Sequence, residues 1–540
     1  MPFSARFRDG GEQLAFTAPL DVLRSTTARE TREALDRCER ALADGRWIAG
    51  ELRYDGSAVL GIFAGPFSEA NAPRDAAFAI SPLLPLVEPE AYARAVTCIQ
   101  DDIRDGEVYQ VNYTVPFALA VDGDALAAWE AVAARTAAGY QAFLEDGERR
   151  VLSWSPELFL AFDGDTVRTK PMKGTAPAGR HERLLEAKNR AEHVMIVDLL
   201  RNDLQRAGRN VRVERLCTVE RYPSFATMTS TIAADIAGVS LGAVIDATFP
   251  CGSITGAPKR AAMARIARLE LRPRDSYCGA IGFLGPGRRG WWNVAIRTAQ
   301  LEGRLGRFDA GGGIVSDSHA SDEWNEIETK AAFLRTHAQP LELWETLAAD
   351  ASDTIVERHL NRLRTSATRF RVPLDSAAIR AAIRAARSPD ALLRIRLRAD
   401  GGFEVLRDPL ERPADPAPVL LARECVDSRD PWLQIKSAWR PAHRRAFEAA
   451  RAHGCFDALL INERGELTEG TRTTLFVELD GALWTPPLSC GVLPGVLREQ
   501  LIEQGVARER TLRADDLARA SATYVGNSAR GLLRARIISP

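Results

Sequence analysis

The sequence contains very little lysine. Only six lysines stand among its 71 basic residues, so arginine fills nearly every position where a positive charge suffices. Arginine stays protonated at any workable pH, whereas a lysine amine can lose its proton and act as a nucleophile. The lysines are therefore expected to be enriched where an amine is needed, although codon bias explains any one of them equally well. They are Lys170, Lys173, Lys188, Lys259, Lys330 and Lys436.

Several other features are also missing. The formal net charge is only -1, which argues against binding to nucleic acid or to an anionic membrane. No apolar run approaches eighteen residues, and the N-terminal segment has no apolar core of a signal peptide. The eight cysteines are scattered without a Cys-x-x-Cys pair, which indicates small buried side chains in a reducing, cytoplasmic compartment. Without a zinc-type His/Cys cluster, any metal is expected to be an oxygen-ligated ion such as Mg²⁺.

The length of 540 residues predicts more than one domain. Residues 337–340 read as a short linker, because the pattern of strands and helices starts again immediately after them. We therefore expect one domain over residues 1–336 and another over 341–540. The sequence shows no internal repeat and no low-complexity tract.

The segment 184–205 is predicted to form a helix with an unusual number of charges. A stripe that includes Met195 and Leu199 is expected to bury one face of this helix. The charges, among them Glu192 and Asp198, exceed what the solvation of a short helix requires. This surplus makes the helix a candidate for a functional role.

Three further segments carry candidate site residues. Glycines in 252–259 precede a predicted helix and would let backbone N–H groups approach a carboxylate, although an ordinary helix entry is the commoner explanation. Residues 293–298 are predicted to form a strand, and 310–318 a glycine-rich turn. Glu323 and Glu326 share one face of the next predicted helix, where like charges repel unless a cation lies between them. Two solvated glutamates are the alternative interpretation.

Eight motifs occur in one order between residues 90 and 335, at 109–114, 155–157, 171–175, 191–203, 252–259, 277–282, 295–298 and 311–330. In this order they resemble the chorismate-utilising enzymes, which include anthranilate synthase component I, isochorismate and salicylate synthases, and aminodeoxychorismate synthase component I. Most anthranilate and salicylate synthases carry alanine at the position of Lys173. Lysine there resembles aminodeoxychorismate synthase.

This resemblance implies how the amino group is introduced. Lys173 would attack C2 of chorismate and displace the C4 hydroxyl through the diene, and ammonia at C4 would then displace the lysine. Glu157 matches the general acid that protonates the departing hydroxyl.

The resemblance also implies the other site residues. The Mg²⁺ ligands would be Glu192 and Glu326, with Glu323 beside them. The enolpyruvyl carboxylate would be bound by Tyr277 and Arg297, and Thr255 and Gly312 would line the site. The sequence departs from some relatives at Asn189, where they have another acid, so fewer carboxylates are expected around the metal.

The second part carries motifs at 359–362, 434–436, 459–465, 467–471, 485–487, 491–496 and 526–531. They resemble the fold-type IV pyridoxal-phosphate enzymes, which include branched-chain and D-amino-acid aminotransferases and aminodeoxychorismate lyase. Without that resemblance, Lys436 would be a single lysine in a predicted strand, and a salt bridge would be its expected role.

The second resemblance implies that Lys436 binds pyridoxal phosphate covalently and that Glu469 pairs with its ring nitrogen. Its phosphate would be held by Arg362, Val496 and Ser528. The sequence departs from relatives in Thr474, where asparagine is common, and in His443, where a tyrosine is common. An Asp-Arg-Gly segment typical of free-standing members is missing before Leu341.

Taken together, the resemblances imply an α+β protein with two domains. The first would be an α/β sandwich with large antiparallel sheets, and the second a fold-type IV domain. The implied activity makes 4-amino-4-deoxychorismate from chorismate and ammonia, and then 4-aminobenzoate and pyruvate, on the path to folate.

Two alternatives remain open. The second domain could instead be an aminotransferase, or the chain could be a non-catalytic partner that binds chorismate or an amidotransferase. The sequence has no evident glutamine amidotransferase module, so ammonia is expected from a separate subunit or from free ammonium.

Overall fold

The computed structural model describes residues 3–9, 12–68, 76–136, 138–177, 186–221, 225–270 and 272–539. Within these ranges, the side chains of residues 9, 12, 68, 175–177, 187–189 and 225 are not described, so the environment of Asn189 lies outside the description. The chain divides into two compact units, Met1–Ala338 and Gln339–Pro540. None of the helices in these described ranges is both long and apolar enough to cross a membrane.

The strands of the first unit are β1 (Ser4–Asp9), β2 (Glu12–Phe16), β3 (Asp21–Ser25), β4 (Trp47–Leu52), β5 (Ala58–Phe63), β6 (Phe67–Ser68), β7 (Phe78–Ile80), β8 (Leu84–Pro85), β9 (Gln110–Gly123), β10 (Tyr140–Asp146), β11 (Arg149–Ser155), β12 (Leu158–Asp163), β13 (Thr166–Lys170), β14 (Met172–Pro177), β15 (Arg209–Arg221), β16 (Phe225–Asp235), β17 (Gly256–Ala257), β18 (Ala280–Gly285), β19 (Arg289–Val294), β20 (Thr298–Glu302) and β21 (Leu305–Ile314). Its helices are α1 (Ala28–Ala43), α2 (Pro89–Arg104), α3 (Ala125–Ala133), α4 (Ala187–Ala207), α5 (Leu241–Thr248), α6 (Lys259–Leu269) and α7 (Ala320–Arg335).

These strands form two large sheets. One has the order β17-β9-β21-β20-β11-β10-β1-β2-β6, with β7 and β8 also paired to β9, and the other has the order β14-β16-β13-β12-β19-β18-β4-β5-β3, with β15 paired to β16. All pairs in both sheets are antiparallel. The predicted α+β class with large antiparallel sheets is therefore confirmed in this unit.

Apolar side chains from both sheets meet in an aromatic core, where Phe7 and Phe16 of one sheet pack against Phe283 and Trp291 of the other. Helices α2, α3, α6 and α7 cover the outer face of the first sheet. Helices α1, α4 and α5 cover the outer face of the second. The unit is thus a sandwich of two sheets between two helical layers, because each sheet has two apolar faces to bury.

The helix predicted at 184–205 begins at Ala187 in α4, and its predicted buried stripe is wrong. Met195 is 57% exposed, and Leu199 is only half-buried. Ile196 and Leu200 face the core instead. The helix is apolar on more than one side between positions 194 and 200, so periodicity alone could not select the face that tertiary packing buries.

Two other local predictions are corrected. Residues 293–298 do not form one strand, because β19 ends at Val294 and β20 begins at Thr298, with Arg297 between them at φ 50°. The glycines expected in a turn at 310–318 instead lie in β21, paired with β9. Their composition suggested a turn, but a glycine in a strand also permits a close approach by neighbouring groups.

The second unit has strands β22 (Glu342–Ala348), β23 (Ala391–Arg398), β24 (Phe403–Pro409), β25 (Ala417–Val426), β26 (Asp457–Asn462), β27 (Leu467–Gly470), β28 (Thr474–Leu479), β29 (Ala482–Thr485), β30 (Ala507–Glu509), β31 (Ala522–Asn527) and β32 (Gly531–Ile538). Its helices are α8 (Asp353–Phe370), α9 (Ser376–Ala385), α10 (Pro441–Ala452), α11 (Val496–Glu503) and α12 (Ala514–Arg519).

These strands form an antiparallel sheet β22-β23-β24 and a mixed sheet β27-β26-β25-β32-β31-β28-β29-β30. Helix α10 packs on the face of β25 and β26 through small side chains such as Ala446 and Ala450. Lys436 does not lie in a strand as predicted. It follows a short 3-10 turn, Pro431–Gln434, which Asp430 caps through the N–H of Trp432.

Candidate active sites

Glu157 follows β11 and precedes β12 in the chain, and it is almost fully buried. Its Oε1 accepts a hydrogen bond of 2.8 Å from the hydroxyl of Ser253. Burial raises the pKa of Glu157 to about 7, although the hydrogen bonds from Ser253 and the Met172 N–H and the charges of Lys173 and Lys330 oppose this rise. A carboxyl with this pKa can hold and donate a proton near neutral pH.

Lys173 and Glu192 face one another from β14 and α4. The Nζ of Lys173 lies 3.4 Å from Oε2 of Glu192, and both side chains are a little over a quarter exposed. The register of β14 on β16, where Lys173 is paired with Met228, fixes the backbone that carries the amine. The amine is thus anchored by a sheet and remains accessible to a small molecule.

Helix α7 contributes two carboxylates to the same region. Glu326 accepts from Lys330 at 2.6 Å, and Glu323 accepts from the hydroxyl of Ser318 at 2.6 Å. A Cβ added to Gly312 would lie 3.1 Å from Oε2 of Glu323 and 3.8 Å from Oε1 of Glu326. Glycine at this strand position therefore leaves space beside both carboxylates.

Lys173 lies close enough to all of these carboxylates for its charge to act on them. It lowers the pKa of Glu157, Glu323 and Glu326, in addition to its direct contact with Glu192. The largest effect on Glu326 comes from Lys330, which lowers its pKa, whereas burial dominates at Glu323 and raises its pKa. The structure therefore brings the predicted acid, amine and metal-binding residues together.

The carboxylate oxygens of Glu192 and Glu326 are ligands of the kind that a hard cation such as Mg²⁺ prefers. Among the side chains that the structure describes, no three Asp, Glu, His or Cys residues meet as a complete metal cage. Mg²⁺ commonly uses only one or two protein carboxylates, and waters or substrate oxygens complete its shell. Glu192 and Glu326 therefore fit an ion whose coordination a substrate completes.

The structure places Tyr277 and Arg297 on adjacent segments. Cys278 donates its N–H to the carbonyl of Ala295 at 2.9 Å, which holds the two segments side by side. Tyr277 is buried, and the Arg297 guanidinium lies 5.6 Å from the centre of the Phe333 ring. Burial raises the pKa of Tyr277 well above its ordinary value, so its hydroxyl stays neutral and can donate a hydrogen bond.

Sequence reasoning missed Arg274, which is buried behind these groups. It pairs with Glu270 at 2.7 Å and donates to the carbonyl of Ile254 at 2.9 Å, next to the predicted site residue Thr255. Its own carbonyl accepts from the N–H of Tyr277. Arg274 thus positions two predicted substrate-binding residues, and nothing in its local sequence pattern distinguishes it from the other arginines.

The hydroxyl of Thr255 points back to the preceding residues of the turn at 252–255. It donates to the carbonyl of Gly252 at 3.2 Å and is fully buried. Its backbone carbonyl accepts from the N–H of Asn112 on β9. This threonine fixes the turn that precedes α6.

In the second unit, Lys436 is half-buried, and its carbonyl accepts from the N–H of Trp344 at 2.8 Å. Burial and the charges of Arg362 and Arg440 lower the pKa of Lys436 to about 8, although Glu345 and Glu469 oppose them. An amine with this pKa is partly neutral at physiological pH and can exchange protons or bind a carbonyl.

Glu469 is buried, and both of its carboxylate oxygens have partners. Oε1 accepts from Arg440 at 3.0 Å and lies 3.2 Å from Nε2 of His443, and Oε2 accepts from the N–H of Leu493 at 3.1 Å. Burial alone would raise the pKa of Glu469, but Arg440 and His443 lower it overall. Glu469 is therefore held as an anion, and the histidine that replaces the usual tyrosine contacts it.

The three predicted phosphate-binding residues come from separate elements. Arg362 on α8 donates to the carbonyl of Pro494 at 2.7 Å, close in sequence to Val496, the first residue of α11. Ser528 follows β31 and lies 2.8 Å from Nε2 of His359, one turn before Arg362 on α8. These contacts bring the three residues together, and the backbone N–H groups at the start of α11 add to the positive potential.

Sequence reasoning also missed Glu345 on β22, which organises this cluster. It accepts from Arg362 through Nε at 2.8 Å and Nη2 at 2.6 Å, and its Oε2 lies 2.6 Å from Nδ1 of His359. A signal was present, because Leu343, Glu345 and Leu347 alternate on the buried face of β22. A glutamate on the apolar face of a strand indicates a buried ionic partner.

The family model described as chorismate binding enzyme matches residues 8–336. The chain belongs to the chorismate binding enzyme family. A second family model, amino-transferase class IV, matches residues 345–538. Both predicted resemblances are thereby confirmed, and the class IV match implies pyridoxal phosphate as the cofactor of the second part.

The relatives of this chain include proteins with two different named activities. It is 37% identical over 254 residues to aminodeoxychorismate synthase component 1 of Klebsiella aerogenes, a match that covers 45% of this chain and 56% of that protein. It is 33% identical over 261 residues to anthranilate synthase component 1 of Methanothermobacter marburgensis, covering 46% of this chain and 57% of that protein. The chain thus spans somewhat more than half the length of these relatives.

Among solved structures, anthranilate synthase component I of Streptococcus pneumoniae matches with a TM-score of 0.51 and 23% identity. This match covers 62% of the present chain and 90% of the other. It shows that the first part of the chain has the same fold.

Proposed function

We propose that the chain is a bifunctional enzyme. The first domain, residues 1–336, converts chorismate and ammonia to 4-amino-4-deoxychorismate, and the second, residues 341–540, converts that product to 4-aminobenzoate and pyruvate. The observation that carries the first assignment is the position of the Lys173 amine. It lies in a carboxylate-lined site together with Glu157, whose carboxyl has a pKa of about 7.

In the first reaction, a hydroxyl must leave C4 of chorismate, and it leaves as water once it is protonated. Glu157 supplies that proton, because its pKa of about 7 keeps a large fraction protonated at neutral pH. Lys173 forms a bond to C2 while the diene shifts and the C4–O bond breaks. Ammonia then bonds to C4, the diene shifts back, and the Lys173 amine departs from C2.

The remaining side chains bind and orient the substrate. Mg²⁺, when bound, neutralises the ring carboxylate of chorismate, and Glu192 and Glu326 would hold it with Glu323 beside them. Tyr277 and Arg297 bind the enolpyruvyl carboxylate. The site is also lined by Gly312, which leaves room beside the carboxylates, and by the turn at Thr255.

In the second reaction, pyridoxal phosphate supplies an electron sink next to the amine-bearing carbon. Lys436 removes the C4 proton, since its pKa of about 8 lets it accept and release protons under working conditions. Glu469, held as an anion, keeps the ring nitrogen of the cofactor protonated. Arg362, Val496 and Ser528 hold the phosphate, and pyruvate leaves as the substrate ring becomes aromatic.

Ammonia is supplied by a separate glutamine amidotransferase subunit or by free ammonium. We also infer a cytoplasmic location, which the scattered placement of the cysteines without a Cys-x-x-Cys pair supports. A chain that hydrolysed glutamine by itself would contradict the proposed division of labour.

The Lys436→Ala variant tests the order of the two reactions. With chorismate, ammonium and Mg²⁺, it should accumulate aminodeoxychorismate and release no pyruvate, because only the second site is disabled. The class IV aminotransferase match keeps a second candidate open for this domain. Transfer of an amino group from an amino acid to 2-oxoglutarate by the wild-type chain, without 4-aminobenzoate formation, would favour that candidate.

A further inference from the structure

Three side chains beside the proposed phosphate site form a continuous chain of hydrogen bonds. It runs from the Glu345 carboxylate through His359 to the hydroxyl of Ser528, with distances of 2.6 Å and 2.8 Å. Glu345 and His359 are both buried. The inference drawn from this chain rests on the proposed binding of pyridoxal phosphate.

The position of each proton in this chain follows from its acidic end. Although burial alone would raise it, the pKa of Glu345 is lowered to about 2 by Arg362 and His359, so Glu345 is ionised and only accepts hydrogen bonds. Nδ1 of His359 must therefore carry a proton. In a neutral imidazole Nε2 is then an acceptor, and Ser528 has to donate its only hydroxyl proton to it.

This arrangement does not suit a phosphate group. A phosphate dianion offers only acceptors at neutral pH, and it requires donors from its site. The Ser528 hydroxyl can donate to it only if His359 no longer needs that proton. A second proton on the imidazole satisfies this condition, because Nε2–H would then donate to the Ser528 oxygen.

The charges around His359 favour this change once a dianion is present. Glu345 faces Nδ1 from β22, and Arg362 and Lys436 add positive charge nearby. Before binding, burial holds the pKa of His359 below its ordinary value, with Arg362 and Lys436 acting in the same direction. A bound phosphate would offset these two cations and stabilise the imidazolium.

We propose that binding of a phosphate monoester at Arg362 and Ser528 is coupled to uptake of one proton by His359. The cluster thus adjusts its charge to the ligand through a positioning residue that does not itself touch the phosphate. Glu345 stabilises the protonated imidazole and orients it.

The test uses the full chain freed of cofactor and titrated with pyridoxine 5′-phosphate, which lacks the aldehyde and so forms no bond to Lys436. Calorimetry at pH 7.0 in buffers with different heats of ionisation measures the protons taken up per ligand. At this pH Lys436 is already mostly protonated, and the phosphate, with a second pKa of about 6, is mostly dianionic. The wild type should take up close to one proton per ligand.

Three variants locate the proton. His359→Gln should bind with little or no uptake, and His453→Gln, which removes an exposed histidine of the same unit, should behave as the wild type. Ser528→Ala, which deletes one hydroxyl and keeps the Glu345 contacts, should also lose most of the uptake. An unchanged uptake in His359→Gln or Ser528→Ala would overturn the proposal.

The wild type alone separates two kinds of failure. If it binds pyridoxine 5′-phosphate without proton uptake, the coupling is wrong and the cofactor assignment stands. If it binds neither this ligand nor pyridoxal phosphate, the proposed function of the second unit is wrong, and the coupling falls with it.

Discussion

The Nζ of Lys173 lies 3.4 Å from the Glu192 carboxylate, although the two residues belong to a strand and a helix. Antiparallel pairing with β16 fixes the lysine backbone, and burial of Ile196 and Leu200 fixes the helix. An amine and a carboxylate are thus held next to each other by the rigid parts of the fold. Such preorganisation is what a reaction at a small, charged substrate needs.

Replacing Lys173 by alanine should abolish the formation of aminodeoxychorismate, because no other amine takes its place as the nucleophile. We expect a loss of at least about 10³-fold in kcat/KM for chorismate, as is usual when a covalent nucleophile is removed. Lys170→Ala is a matched control, since Lys170 at the end of β13 pairs with Glu220 on β15. Comparable losses in the two variants would contradict a special role for Lys173.

The first reaction should depend on the protonation of Glu157. With free ammonia held constant, kcat/KM for chorismate should fall as the pH rises through about 7, because the proton donor is lost. Ser253→Ala removes a hydrogen bond that lowers this pKa, so the falling limb should move to higher pH.

Glu157→Gln should lower kcat/KM by about 10² to 10⁴-fold and remove the limb. If kcat/KM of Glu157→Gln still fell as the pH rose through about 7, the titrating proton donor would be a group other than Glu157.

Glu469→Gln should impair the second reaction more than cofactor binding. A neutral amide cannot keep the ring nitrogen protonated, so we expect pyruvate release to slow by at least about 10²-fold. Absorbance titration with pyridoxal phosphate measures binding separately, and Glu478→Gln on β28 serves as the control. Equal rates in both variants would rule out the proposed role of Glu469.

Arg274 should matter for the stability of the first unit. Arg274→Ala leaves the buried Glu270 carboxylate without its cation, which typically costs about 3–5 kcal/mol. The exposed pair of Arg104 and Asp101 provides the control, and Arg104→Ala should cost less than about 1 kcal/mol. Urea unfolding followed by intrinsic tryptophan fluorescence measures the free energy of unfolding of both variants. Similar losses in the two would contradict the larger contribution assigned to the buried pair.

The sequence identified several helices correctly, among them α4, α6 and α7. It could not identify which side of α4 is buried, because apolar residues flank Met195 on several sides. The glycines of β21 were misassigned to a turn, since their strand conformation depends on pairing with β9, which is distant in sequence.

The candidate sites followed a similar division. Lys173, Glu157 and Lys436 were predicted because their motifs resemble known families. The scarcity of lysine also drew attention to the two lysines. Arg274 and Glu345 were missed because each lies outside the motifs, and only the folded chain shows that each belongs to a buried ion pair. The pKa of Glu157 likewise depends on burial that only the folded chain produces.

Product analysis of the purified chain tests the central claim most directly. Chorismate, ammonium, Mg²⁺ and pyridoxal phosphate should yield 4-aminobenzoate and pyruvate in equal amounts, with no added enzyme. Accumulated aminodeoxychorismate would contradict the lyase assignment of the second unit. Anthranilate as the product would contradict the role given to Lys173.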